Sequence, residues 1–106
     1  MSDVKEYGRV PAQRWLISGR VQGVAFRWFT TEAAHELSLR GTVRNLADGR
    51  VEILVVEGED PSVLEAFFSR VEAGPSHARV DGIERSAVSA EHAQELGCRR
   101  GFDIVY

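Results

Sequence analysis

The chain has 106 residues, of which 43% are apolar and 27% charged, and a net charge of −3. These proportions exclude a disordered chain and a protein whose overall field would draw it to nucleic acid, and no apolar run reaches the length of a membrane span. The single cysteine, Cys98, excludes an internal disulfide and a metal site built on paired thiolates.

Residues 1–11, MSDVKEYGRVP, read as a flexible N-terminal tail ahead of one domain over 12–106. The tail has no apolar h-region, so the expected location is cytoplasmic. RWLISGRV reads as a strand that puts Trp15 and Ile17 on one face and Arg14, Leu16 and Ser18 on the other. From Phe26 the period changes. Phe26, Phe29, Ala33 and Leu37 recur at helical spacing, and Gly41 is the expected helix stop.

TVRNL and RVEILVVEG flank Ala47-Asp48-Gly49, and Asp-Gly between two strand-like runs is a strong hairpin signal. Asp60-Pro61 supplies an N-cap and a first-turn proline to a second helix. Its apolar stripe is Val63, Leu64, Phe67, Phe68 and Val71, and Gly74-Pro75 ends it. ARVDGIERS reads as a strand. The polar stretch from Ser89 to Gly101 carries a short helical turn near Ala90 to Leu96, and GFDIVY reads as a last strand alternating Phe102, Ile104 and Tyr106. Two helices cannot cover both faces of such a sheet. The order therefore predicts an α+β, ferredoxin-like two-layer sandwich, βαββαβ plus a late C-terminal strand, with both helices on one face of a mainly antiparallel sheet.

Charge is uneven along this frame. Gln13 to Arg50 holds six arginines against three acids, which suits a small anion better than a long polyanion. Within it lies GRVQGVAFR, Gly19 to Arg27, where a strand runs into a helix. The first N–H groups of a helix lack intrahelical partners, and its dipole adds partial positive charge at the same end. Glycines at 19 and 23 permit positive φ, so successive N–H groups can converge on one anion, with the Arg27 fork gripping two of its oxygens. A plain strained turn explains the same spacing, since short glycine motifs recur by chance. The segment is neither a Walker loop nor GxGxxG, and spacing alone does not choose.

GRVQGVAFR closely resembles the signature of the acylphosphatase family. RGTVRNLADGRVEILVVEG resembles the family's second conserved region, AGPSHARVD the approach to its fourth strand, and FDIVY its aromatic end. The resemblance covers nearly the whole chain after the tail. It implies hydrolysis of the carboxyl–phosphate bond of acyl phosphates to a carboxylate and inorganic phosphate, without metal or cofactor. It also implies two catalytic residues: Arg27, binding the phosphoryl group, and Asn45, positioning the attacking water. The phosphate cradle would be the backbone of Gln22, Gly23, Val24, Ala25 and Phe26, with Arg27. Many members carry tryptophan where this chain has Thr42, which bears on packing and substrate preference near the Asn45 strand.

The expected partners are an acyl phosphate and inorganic phosphate, with no nucleic acid or membrane, and the expected state is a monomer. The alternative is a non-catalytic anion-binding module of the same family. An RNA-recognition sheet shares the element order, but its strands need exposed aromatics, and RVEILVVEG has none. His35, His77 and His92 lack ligand spacing, and Cys98 is expected to be a bystander. Arg20 and Arg44 are not assigned to the site: at most they add positive potential near the cradle, and surface arginines usually do no more.

Overall fold

The computed structural model describes residues 11–58 and 60–106. The N-terminal tail expected over 1–11 lies, apart from Pro11, outside the described residues. In chain order the elements are β1 (Ala12–Arg20), α1 (Phe26–Glu36), β2 (Gly41–Asn45), β3 (Val51–Val56), α2 (Pro61–Ala73), β4 (Arg79–Ala87), α3 (Ala90–Gly97) and β5 (Phe102–Ile104). The five strands form one sheet in the order β4-β1-β3-β2-β5. All pairings are antiparallel except β2 with β5. This is the ferredoxin-like sandwich with one strand added beside β2.

Alternation decides which face each strand residue serves. In β3 every residue is buried. Val51, Ile53 and Val55 point into the core beneath α1 and α2, together with Trp15 and Ile17 of β1 and Val43 of β2. The helices answer with Phe26, Ala33 and Ala34 from α1 and Leu64, Phe67 and Val71 from α2. Trp15 stacks on Phe67 at 5.4 Å and meets Phe68 edge-on, and Phe67 meets Phe102 at 5.7 Å. Each such side chain contributes about 1.5–3 kcal/mol by leaving water. The core is thus an aromatic column set on a β-branched sheet.

Helix α2 follows the expected signals. Asp60 caps it by accepting from the Ser62 N–H at 2.9 Å, and Gly74 closes it at φ 68°. Helix α1 departs from them at both the stripe and the stop. Thr30 is fully buried where Phe29 was expected, and Phe29 is half-buried. The helix ends at Glu36. Ser38 takes the left-handed conformation at φ 58°, with Ser38 N–H donating to His35 C=O and Leu39 N–H to Ala34 C=O at 3.1 and 2.9 Å. That is the 6→1, 5→2 pattern usually closed by glycine. Gly41 instead opens β2, where a Cβ would lie 1.9 Å from the Leu54 carbonyl oxygen. Close strand approach, not helix termination, requires that glycine.

The polar stretch after β4 also holds more structure than a short turn. Helix α3 is capped by Ser89 and lies against the opposite face of the sheet. Its Ala93 and Leu96 pack on Ala12, Leu54 and Val56, forming a small second core. Two apolar residues three apart suffice, because the receiving patch is already flat and apolar.

Candidate active site

The connection between β1 and α1 fixes the site's backbone. At its start, Gly19 has φ 127°, and a Cβ there would lie 2.1 Å from the Arg79 carbonyl oxygen of β4. The register of β1 on β4 shifts at this point. At its end, Gly23 has φ 75° and Ala25 φ 63°. Ala25 is the N-cap of α1 and makes no side-chain capping bond. A left-handed alanine costs about 1–2 kcal/mol, so surrounding contacts hold this loop in place. Val24 packs into the main core. The Gln22 carboxamide donates to the carbonyls of Leu46 and Arg50 at 2.8 and 2.9 Å. Both carbonyls belong to the loop joining β2 to β3, so one side chain ties the strand–helix turn to the hairpin that carries Asn45.

The hairpin forms as its Asp48-Gly49 pair predicts. Gly49 N–H donates to Leu46 C=O at 3.2 Å, and the Asp48 carboxylate accepts from the Arg50 N–H and guanidinium at 3.0 and 2.9 Å. The hydrogen bonds from Arg50 hold the Asp48 carboxyl below its ordinary range.

Between loop and hairpin lies a cavity of about 160 Å³, lined by Val21, Gly23, Ala25, Phe26, Arg27, Trp28, Asn45 and Ile104. Three features of it are unusual. Among the described residues, the N–H groups from Gln22 to Trp28 donate to no protein acceptor. Arg27 forms no ion pair or hydrogen bond through its guanidinium there, and its contact is the Tyr106 ring at 5.3 Å. The Asn45 side-chain oxygen is buried and has no partner. Backbone donors, a cation and an unpartnered acceptor therefore meet in one small recess whose walls are otherwise mostly apolar. Such a recess suits a tetrahedral oxyanion, with the helix dipole adding to the attraction.

Gly23, Ala25, Phe26, Arg27 and Asn45 all line the cavity, whereas the side chains of Gln22 and Val24 are spent on fastening the loop. Thr42 and Arg44 face the other side of the sheet, where they line a different cavity of about 350 Å³ with Arg14 and Glu52. Arg44 pairs with Glu52 at 2.8 Å, so its charge is spent within the fold and not near the cradle. Thr42 likewise bears on that second cavity and not on the Asn45 side. His35 is exposed, with Nε2 2.9 Å from the Phe102 carbonyl oxygen, and Cys98 is exposed. Trp28, Val21 and Ile104 were not anticipated at the cavity. Only Trp28 carried a signal, as a large aromatic off the helix's apolar stripe.

Fold and recess together define an α+β sandwich with a small cavity at a strand–helix turn, where a cation and unpartnered backbone N–H groups meet. The family model described as acylphosphatase matches residues 13–104, and the chain belongs to that family. An acylphosphatase of Roseiflexus sp. (strain RS-1) is 47% identical over 91 residues, covering 86% of this chain and 90% of that one. One from Archaeoglobus fulgidus is 42% identical over 90 residues, covering 85% and 92%. The crystal structure of acylphosphatase from Bacillus subtilis superposes with a TM-score of 0.77 at 34% identity, covering 91% of this chain and 99% of that one.

Proposed function

We propose that the recess binds the phosphoryl group of an acyl phosphate and hydrolyses its carboxyl–phosphate bond. The observation that carries this reading is Arg27, a cation without a protein counter-ion among the described residues, set beside unpartnered backbone donors and the buried, unpartnered Asn45 oxygen.

The N–H groups at the start of α1 and the Arg27 fork hold the non-bridging oxygens and stabilise the charge spread over them in the transition state. The Asn45 oxygen accepts a hydrogen bond from a water molecule and so aims the water's lone pair at phosphorus. As the new P–O bond forms, the P–O bond to the acyl group breaks, and the electron pair leaves on the carboxylate. The water's proton passes to the phosphate. A carboxylate is a stable leaving group at neutral pH, so no general acid is needed. Placement supplies most of the acceleration.

The working state in this reading is a cytoplasmic monomer. The described residues include no helix long and apolar enough to cross a membrane. The reading is tested with benzoyl phosphate in the presence of chelator. Turnover is expected to persist with chelator and to collapse in Arg27→Ala. Turnover abolished by chelator, or untouched in Arg27→Ala, would rule the mechanism out. Phosphate protection against melting without any hydrolysis would leave only a binding module.

A further inference from the structure

Among the described residues only two large hydrophobic side chains are exposed, Trp28 at 62% and Tyr106 at 97%. Both stand at Arg27. Trp28 is its neighbour on α1 and lines the same cavity, and the Tyr106 ring lies 5.3 Å from the guanidinium carbon. Trp28 is no part of the α1 stripe that packs on the sheet, and its indole N–H has no protein partner among the described residues, unlike that of Trp15. Nothing in the fold accounts for an indole left in water at this point.

The cavity's size supplies an account. At about 160 Å³ it is smaller than the roughly 300–1,000 Å³ of pockets that enclose whole organic ligands. It can house a phosphoryl head. The acyl group must then lie outside, over the rim. That rim carries Trp28 and Tyr106, with the partly buried Ile104 adding aliphatic surface at the cavity wall. We propose that Trp28 is a platform for the acyl group, with Tyr106 as a second wall, and that the site favours acyl phosphates bearing an aromatic or bulky apolar acyl group over those bearing a small one. Planar acyl groups stack on the indole as aromatic pairs do. The inference rests on the hydrolytic reading above and adds the substrate class.

The test compares kcat/KM for benzoyl phosphate and acetyl phosphate in the wild type, Trp28→Ala and Trp28→Phe. The alanine variant is expected to lose about two- to tenfold more on benzoyl than on acetyl phosphate, the range that one aromatic contact supports. Phenylalanine should restore most of that ratio. An equal loss on both substrates, or no loss on either, overturns the acyl platform and leaves the hydrolytic reading standing. A wild type that turns over neither substrate removes the hydrolytic reading and the platform with it.

Discussion

The sheet carries an arginine-lined cavity on each face, and the two differ in what their arginines touch. In the larger, of about 350 Å³, Arg14 and Arg44 clamp the buried Glu52 carboxylate at 2.7 and 2.8 Å, and Arg99 pairs with Asp103 at 2.6 Å. In the smaller, of about 160 Å³, Arg27 pairs with no carboxylate among the described residues. Cavity size would choose the wrong face. A cation already paired serves the fold, whereas one left open beside unpartnered N–H groups is the one the proposed function assigns to a ligand. The backbones agree. The larger cavity rests on strand residues whose N–H groups are spent in ladders, and the smaller on a turn held at positive φ.

The sharpest way to break this contrast is to remove one arginine from each side. Arg27→Ala is expected to lower kcat/KM by about 10³-fold or more, as loss of a charge-stabilising arginine does in phosphoryl transfer. Its melting temperature should hardly move, since among the described residues the guanidinium makes no ion pair or hydrogen bond, only the contact with the Tyr106 ring. Arg44→Ala should keep kcat/KM within about twofold and instead lower the melting temperature, because one clamp on a buried carboxylate is gone. Similar activity losses in the two variants would collapse the distinction. Next in size is Asn45→Ala. Aiming water is worth about 10²-fold in kcat, while inhibition by inorganic phosphate should persist, because the proposed function assigns phosphate binding to the loop and Arg27. Parallel loss of both would contradict that division of labour.

The same contrast explains what could be read before the structure. The hairpin, α2 and the two-faced pattern of β1 are local signals: Asp48-Gly49, the Asp60 cap with Pro61, and alternation at Trp15 and Ile17. Arg27 and Asn45 could be named only through family resemblance, since nothing within GRVQGVAFR distinguishes a cradle from a plain turn. Three features depended on distant contacts and were misread, left open or only sketched. Gly41 looked like a helix stop because the approach of Leu54 is a tertiary fact. Arg44 read as an ordinary surface arginine because Glu52, its partner, sits within an apolar run. Helix α3 looked marginal because its two apolar residues acquire meaning only against Leu54 and Val56.

On the fold-serving side a smaller effect is expected. Glu52→Gln keeps shape but removes the charge that Arg14 and Arg44 grip. The carboxylate is buried while both guanidinium groups are 42% and 47% exposed, so solvent screens part of the attraction. A loss of about 1–2 kcal/mol is expected from charge-assisted bonds of this kind, read by thermal or denaturant unfolding, with acyl phosphatase activity preserved.

The smallest effect is the pH dependence of that loss, and it separates the clamp from mere burial. Burial alone would raise the Glu52 pKa, but the hydrogen bonds from Arg14 and Arg44 outweigh it, and the carboxyl lies below its ordinary value of 4.5. A depressed native pKa gives stability that is fully present above the unfolded-state value and lost as pH falls through the native one. The melting-temperature gap between wild type and Glu52→Gln should therefore be constant at neutral pH and begin to close below about pH 4.5. It should vanish once Glu52 is protonated, because a neutral carboxyl and a carboxamide then stand in the same place. The exposed Asp48, Asp60, Glu65 and Asp81 also have lowered pKa values, but they are common to both proteins and cancel in the difference. A gap that widened on acidification would mean that burial governs Glu52. The arginines of the larger cavity would then be as uncommitted as Arg27, and the distinction between the two faces would be lost.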